Sequence, residues 1–275
     1  MKMDDNHFQS YIVLILRRRG VIKNPQLSVR TMTDQNLTDF IRCPYKFYYA
    51  HIEKKKHPLG WRQAIQHIIN KVVSSYFQLP QSHRTPANVL MLIDQYWGRL
   101  ELRMFDSQLQ YYMAAAAITD GLMRNLSSES EIAQPLFLYE KFRMNLKELN
   151  ADLSLTFDVA EWQQDSFIVK KFLVDADEQM LELYCHLTVV FSEKVFGIRP
   201  ARIEVVTLMD GERHVFNPNK DSLEAGLNYL QMMKTLLEDT KQFSDLYNMN
   251  ECPACPFQGV CDRDEKNERK PKYLS

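Results

Sequence analysis

Four of the five cysteines in this chain form the pattern that most constrains its fold. Three lie close together near the C-terminus, in the segment ECPACPFQGVC, as Cys252, Cys255 and Cys261. The fourth, Cys43, lies near the other end, in IRCPYKFYY. Four thiolates form the closed ligand shell of iron–sulfur clusters and of structural zinc sites. The pattern therefore predicts a metal centre that draws both ends of the chain together.

The identity of the metal does not follow from spacing, because cluster and zinc share thiolate ligands. We favour a [4Fe–4S] cluster and keep structural zinc as the alternative.

The sequence shows no export signal, and its apolar run Tyr11–Leu16 is far shorter than the roughly 20 residues of a membrane span. We therefore expect a cytoplasmic protein with no membrane role, in which clustered cysteines bind metal instead of forming disulfides. Cys185 lies in an apolar helical pattern and is expected to be a buried structural thiol.

The charge balance limits how the chain could bind nucleic acid. The 275 residues carry a net charge of −1, which excludes a global positive field. Contacts to DNA would have to come from local basic patches, of which the sequence offers two. These are the runs Arg17, Arg18, Arg19 and Lys54, Lys55, Lys56. The lysine run follows a tyrosine-rich segment, so it could contact a DNA backbone, although a solvated loop explains it equally well.

The order of periodic segments predicts an α/β fold with a small mixed β-sheet flanked by helices. Helical spacing covers 61–78, 86–104 and 107–126, after a helix that Pro44 should interrupt. Three strand-like segments follow, then a helix ended by Gly197, two more strands and a last helix. We expect an N-terminal extension at 1–30, one domain at 31–265 with a helical insertion around 85–130, and a charged tail at 266–275.

The segment TDFIRCPYKFYYAHI and the C-terminal Cys-x2-Cys-x5-Cys together resemble the iron–sulfur branch of the PD-(D/E)XK nuclease superfamily. Members include the nuclease domain of bacterial helicase–nuclease subunits and CRISPR-associated exonucleases that trim spacers. The resemblance implies a restriction-endonuclease-like core and an iron–sulfur clasp that joins the N- and C-terminal parts. It also implies DNA as a partner, as single strands or duplex ends, together with a protein such as a helicase or a defence-system subunit.

The resemblance also assigns candidate site residues. In the family pattern, the active-site pocket would contain His67, Asp158, Gln179 and Tyr184. The strand that should carry the acid-x-lysine motif reads FIVKKFLVD, so Lys170 takes the position of the acid and Phe172 that of the lysine. The acid of that motif supplies oxygen to Mg²⁺, which a lysine cannot do.

The expected function is therefore a DNA-binding, nuclease-like protein with a degenerate site, active in DNA repair, recombination or phage defence. We expect Lys170 to pair with Asp158. Gain of activity in Lys170→Asp with Phe172→Lys would show that the scaffold is an intact nuclease that lacks only its charges. Two alternatives stay open, and enzyme activity remains uncertain. The first is a Mg²⁺-dependent nuclease in which Asp175 or Asp177 replaces the missing acid and Lys171 supplies the amine. The second is a structural subunit with no DNA role.

Overall fold

The computed structural model describes residues 29–127, 135–163, 165–246, 248–252 and 255–261. As predicted, the fold is α/β, with six strands in a mixed sheet accompanied by helices. The strands are β1 (Thr31–Thr33), β2 (Phe137–Leu146), β3 (Ala151–Gln163), β4 (Ser166–Leu173), β5 (Arg202–Thr207) and β6 (Glu212–Phe216). The α-helices are α1 (Asp34–Arg42), α2 (Pro44–Phe47), α3 (Trp61–Gln78), α4 (Pro86–Trp97), α5 (Gln108–Ser127), α6 (Glu178–Phe196) and α7 (Ser222–Glu238). None of the helices within these ranges has both the length and the apolar character needed to cross a bilayer.

The chain divides into two compact units. The first unit contains the residues up to 55, the segment 143–154 and the residues from 227 onward, and the second contains 56–142 and 155–226. The predicted extension and tail, and with them the apolar run Tyr11–Leu16, lie almost entirely outside the described residues.

In the first unit, the predicted helix break at Pro44 is confirmed. Helix α1 begins after Thr33, whose hydroxyl accepts the Asn36 N–H at 3.0 Å while the Asn36 carboxamide accepts the Thr33 N–H at 2.7 Å. Proline disfavours helical geometry in the residue before it, and Cys43 is accordingly extended (φ −167°, ψ 118°). The chain restarts at once as α2 and a π-helical turn at Tyr48–Ile52. The break leaves Cys43 between two helices instead of inside one.

In the second unit, β3 and β4 form an antiparallel pair in which Val159 lies opposite Lys170. Helix α6 connects β4 to β5, which runs parallel to β4 and places Glu204 beside Lys170. Strand β6 then pairs antiparallel with β5. Because neighbouring residues of a strand point to opposite faces, this register decides which charged side chains can meet.

Helices α3, α4 and α5 form the predicted helical layer and share a buried core with sheet residues. The core includes Ile65, Val72, Ile118, Phe172 and Leu208. Helix α4 ends at Trp97, earlier than the predicted residue 104, and a short 3₁₀ turn follows at Leu102–Met104. Gly98 follows the last helical residue, and glycine is costly inside a helix.

Candidate metal centre and candidate active site

A pocket in the first unit contains all four cysteines of the predicted metal centre. Its empty space is about 580 Å³, including the part open to solvent. The side chains that line it besides the cysteines include two charged residues and several aromatic ones. The lining is Cys43, Cys252, Cys255, Cys261, Tyr45, Lys46, Tyr49, Glu251, Pro256, Phe257 and Gln258.

Local backbone bonds position the cysteines. The Cys43 N–H donates to the carbonyl of Asp39 at 3.0 Å, which closes the last turn of α1. The Cys255 N–H donates to the carbonyl of Cys252 at 3.1 Å, which links the two cysteines of the Cys-x2-Cys pair directly. The thiol of Cys252 lies 3.9 Å from the carbonyl of Asn248. Cys43, Cys252 and Cys255 are therefore held by short-range contacts with the backbone.

Two contacts that involve no sulfur join the two cysteine segments. The Arg42 guanidinium pairs with the Glu251 carboxylate at 3.2 Å, across 209 positions of sequence. The rings of Tyr49 and Phe257 pack with their centroids 5.5 Å apart. The segments thus meet through an ion pair and an aromatic contact as well as through the cysteine pocket.

The surroundings of Cys255 show how close these groups lie. Burial raises the pKa of Cys255, the N–H of Phe257 donated to its sulfur lowers it, and the nearby Cys43 and Cys252 raise it further. The charge of Lys46 acts in the opposite direction and lowers that pKa. These interactions place two other thiols, one ammonium and one backbone donor around a single sulfur.

The donor chemistry of the pocket fits an iron–sulfur cluster. In a cubane cluster each thiolate binds a different iron, so its four ligands line a pocket instead of meeting at one point. The fit rests on the donor set alone, because among the described residues no group of three or more His, Cys, Asp and Glu side chains is positioned to hold a metal ion. Cys185 lies apart, half-buried on α6, and burial followed by the charge of Glu182 raises its pKa to about 12.

Lys46 belongs to a charged group beside the pocket that sequence reasoning missed. Its ammonium lies 2.9 Å from Oδ1 of Asp39, while Oδ2 of Asp39 lies 2.8 Å from Nε2 of His51 and accepts a 3.3 Å bond from Gln35. Burial alone would raise the pKa of Asp39, but the His51 hydrogen bond and the Lys46 charge outweigh it and lower the pKa to about 2. Lys46 and His51 follow Asp39 by seven and twelve residues, on the other side of a helix break, so no helical periodicity indicated that the three side chains would meet.

Asp158, the candidate metal-binding acid, is buried in the second unit with both oxygens engaged. Its Oδ1 lies 2.7 Å from the ammonium of Lys171, and its Oδ2 accepts the N–H of Phe172 at 3.2 Å. The same ammonium lies 5.2 Å from the ring centroid of Tyr184. Burial, followed by the charges of Asp158 and Tyr184, raises the pKa of Tyr139 well above its ordinary value. The site is therefore a buried carboxylate–ammonium pair beside two tyrosines.

The expected pairing of Lys170 with Asp158 is wrong. Lys170 lies on the other face of β4 and contacts Glu161 through both carboxylate oxygens, at 2.9 and 3.0 Å. The ammonium that pairs with Asp158 is that of Lys171. The reason is strand alternation, which sends adjacent side chains of one strand to opposite faces.

Phe172, which takes the position of the family lysine, is part of the hydrophobic core and only 1% exposed. A lysine there would bury an unpaired charge, at a cost of several kcal/mol. The test by Lys170→Asp with Phe172→Lys is therefore unsuitable, because the second change would disrupt the core. The substitution would test folding instead of catalysis.

The remaining pocket residues do not all converge on Asp158. His67 is exposed on α3, and its neighbour Gln66 makes the contacts with β4, donating to the carbonyl of Phe172 at 2.7 Å and accepting the N–H of Val174 at 3.0 Å. Gln179 is exposed in the first turn of α6, while Tyr184 is buried. A helix pattern defines a buried face only to within one residue, and so it could not separate Gln66 from His67.

The two acids considered as replacements are engaged elsewhere. Asp175 pairs with the guanidinium of Arg62 at 2.7 Å. Asp177 caps α6 by accepting the N–H of Met180 at 2.9 Å. Each carboxylate already has a structural role, which leaves the acid position of the motif without a substitute from this pair.

The lysine run is exposed, but its members differ. Lys55 pairs with Glu53 at 2.8 Å and lies 4.1 Å from the ring centroid of Tyr49. Lys54 has a left-handed backbone (φ 52°), and both Lys54 and Lys56 are exposed. The run Arg17, Arg18, Arg19 lies outside the described residues.

No protein-family model matches this chain, and no curated protein matches it significantly. Among solved structures, it is similar to one described as a "Putative exonuclease" from Eubacterium rectale, at 10% identity and a TM-score of 0.47, over 90% of this chain and 91% of the other. It is also similar to the protein SSO0001, at 12% identity and a TM-score of 0.39, over 85% and 87% of the two chains. With TM-scores below 0.5, these similarities establish neither a family nor a function for this chain.

Proposed function

We propose that this chain is a nuclease-like, DNA-binding protein that holds a [4Fe–4S] cluster and does not itself cleave DNA. Its setting would be DNA repair, recombination or phage defence in the cytoplasm, beside a protein such as a helicase or a defence-system subunit. The observation that carries the proposal is the pocket that contains Cys43, Cys252, Cys255 and Cys261.

The cluster would be held by these four thiolates, with the Phe257 N–H and the Lys46 ammonium close to Cys255. Bound there, it would supply a structural link between the segment around Cys43 and the C-terminal cysteine segment. Such a link closes a loop of most of the chain, which reduces the entropy of the unfolded state. Structural zinc on the same thiolates is the alternative cofactor.

The absence of cleavage is inferred from the charges around Asp158. Mg²⁺ binds through hard oxygen ligands and needs carboxylates that are free to coordinate it. Here Lys171 and the Phe172 N–H already engage both oxygens of Asp158, and the β4 side chain that faces Asp158 is the ammonium of Lys171 instead of a second acid. An ammonium in the position of a divalent cation satisfies the carboxylate and repels the metal.

DNA contact would come from the exposed lysines Lys54 and Lys56, with a smaller share from Lys55 because Glu53 already neutralises it. Arg17, Arg18 and Arg19 remain a second candidate patch. Contacts of this kind bind phosphate without reading sequence, which suits a protein that engages single strands or duplex ends.

One experiment separates the candidate functions. Protein purified anaerobically is assayed for iron, acid-labile sulfide and zinc, then for DNA binding and for Mg²⁺- or Mn²⁺-dependent cleavage of single- and double-stranded DNA. We expect iron and sulfide, DNA binding and no cleavage above background. Stoichiometric zinc without iron would replace the cluster, and cleavage would support the alternative of an active nuclease. A protein that holds the cluster but neither binds nor cleaves DNA would support the structural-subunit alternative.

The active-nuclease alternative has one observation in its favour. Asp158 and Lys171 bring a carboxylate and an ammonium together, which are two of the functional groups of such a site. An active enzyme would have to separate this pair and recruit a further acid. Asp175 and Asp177 would first have to leave Arg62 and the α6 cap.

A further inference from the structure

Lys46 combines two features that no other charged side chain of the pocket combines among the described residues that line it. Its ammonium is positioned by a buried carboxylate, that of Asp39, at 2.9 Å. It also lies in the wall of the cysteine pocket, three residues after Cys43. The remaining charged side chain of the wall, Glu251, is paired with Arg42.

Asp39 is well suited to hold a lysine in place. It is 4% exposed, and its carboxylate also contacts His51 at 2.8 Å and Gln35 at 3.3 Å. A long lysine side chain loses conformational entropy when it is fixed, so a buried, multiply bonded partner is needed to keep it ordered. Lys46 is itself only 15% exposed at its side chain, which limits how far water screens its charge.

A thiolate-ligated iron–sulfur centre carries a net negative charge, which becomes more negative on reduction. Charge buried in a pocket is costly unless an opposite charge or hydrogen-bond donors compensate for it. A fixed ammonium in the wall would reduce that cost, and more so in the reduced state. Asp39 does not line the pocket, and its negative charge would partly offset the stabilisation of the cluster by the Lys46 ammonium.

We infer that Lys46 is the charge-compensating residue of the cysteine pocket, and that Asp39 both positions it and moderates its field. The inference rests on the proposed cluster. It predicts that Lys46 slows the loss of the cluster and raises its midpoint potential. Asp39 should lower the midpoint potential, because its carboxylate is an anion.

The test compares anaerobically reconstituted full-length variants by two measurements. One is the rate of chelator-driven bleaching near ~400 nm, where thiolate-to-iron absorption lies, and the other is the midpoint potential by mediated titration. Lys46→Met should lose the cluster roughly tenfold faster and have a lower potential. Lys46→Arg should restore both values, and Asp39→Asn should raise the potential. Lys234→Met is the matched control, since Lys234 is similarly buried, pairs with Glu238 on α7 and does not line the pocket.

The outcomes are distinct. If wild-type protein holds no cluster, the proposed cofactor and this inference both fail. If wild type holds a cluster but Lys46→Met behaves like Lys234→Met, this inference alone fails. If Lys46→Met and Asp39→Asn shift the potential in the same direction, the two residues act through structure and the inference is overturned. If Lys46→Met does not fold, Lys46→Gln, which also removes the charge, is measured in its place, and a midpoint potential equal to that of wild type would overturn the inference.

Discussion

Arg42 and Glu251 form an ion pair 3.2 Å long between the residues that immediately precede Cys43 and Cys252. Their side chains are 15% and 21% exposed, so water screens the pair less than at an open surface. The pair lies beside the cysteines but does not depend on them. It therefore offers a way to join the two segments before any metal binds.

The first prediction is that this ion pair stabilises the apo protein. Arg42→Gln and Glu251→Gln should each lower the free energy of unfolding by about 1 kcal/mol, and the double variant should lose little more. Urea unfolding of metal-free protein measures this coupling. The pair Lys234–Glu238 within α7 is the control, with about 0.3–0.5 kcal/mol expected for an i,i+4 pair. Strictly additive losses at Arg42 and Glu251 would show that the pair is not coupled.

The second prediction separates the pocket cysteines from the fifth one. Cys43→Ser should abolish iron binding and lower the melting temperature of the metal-loaded protein, because it opens the ligand shell. Cys185→Ser should retain iron, since Cys185 lies on α6 and outside the pocket. Iron content and thermal unfolding measure both effects. A Cys43→Ser variant that binds iron and melts like wild type would remove Cys43 from the ligand set.

The third prediction concerns DNA. Lys54→Gln and Lys56→Gln should weaken DNA binding, and each lost phosphate contact should reduce the salt slope by about 0.9. Lys55→Gln should have a smaller effect because Glu53 partly neutralises Lys55. Lys220→Gln, at an exposed position far from the run in sequence, is the control. Equal affinities for all four variants across a salt titration would exclude the run as a DNA contact.

The fourth prediction is that Asp158 matters for stability. Asp158→Ala should lower the free energy of unfolding by about 3–5 kcal/mol, because it leaves the Lys171 ammonium buried without its carboxylate. Asp175→Ala, which breaks the more exposed pair with Arg62, should cost about 0–1 kcal/mol. Denaturant unfolding measures both. A folded Asp158→Asn variant that loses a divalent-dependent cleavage seen in wild type would instead assign Asp158 to catalysis.

The fifth prediction follows from Tyr139. Its hydroxyl is buried and has no hydrogen-bond partner within the described part of the chain, and its pKa is raised well above the ordinary 10.0, first by burial and then by Asp158 and Tyr184. A raised folded-state pKa means that the neutral phenol is favoured in the native state. The contribution of this pKa shift to the free energy of unfolding is fully present below about pH 10. It is lost as the pH rises from there through the folded-state pKa.

Tyr139→Phe should therefore reduce the alkaline loss of stability above about pH 10. At neutral pH it should leave stability unchanged or raise it by up to about 1 kcal/mol, since no hydrogen bond is lost. Chemical unfolding at a series of pH values compares it with wild type and with Tyr112→Phe, which removes an exposed hydroxyl. An alkaline profile identical to wild type would contradict the assignment.

Several elements could be predicted because their signals are local. The spacing of isoleucines and valines defined α3 at Trp61–Gln78, and Gly197, with φ 67°, ended α6 as expected. Pro44 fixed the break beside Cys43. These features depend on residues within a few positions of one another, where backbone sterics and helical periodicity decide the outcome.

The charged pairs could not be predicted in the same way. Lys170 and Lys171 are adjacent and chemically identical, yet one contacts Glu161 and the other Asp158. A shift of one residue in strand register would exchange them, and register is set by packing of the whole sheet. Similarly, the sequence did not indicate that Gln66 contacts β4 while the adjacent His67 is exposed.

The sequence by itself determined the helices and strands, the break at Pro44 and the set of four cysteines, because periodicity, caps and ligand spacing are written in neighbouring residues. Only the tertiary structure decided that Arg42 meets Glu251 and that Asp39 holds Lys46 against the cysteine pocket. Such partners are chosen by the packing of segments that lie apart in sequence, and an unpaired charge gives no local sign of where its counter-charge lies.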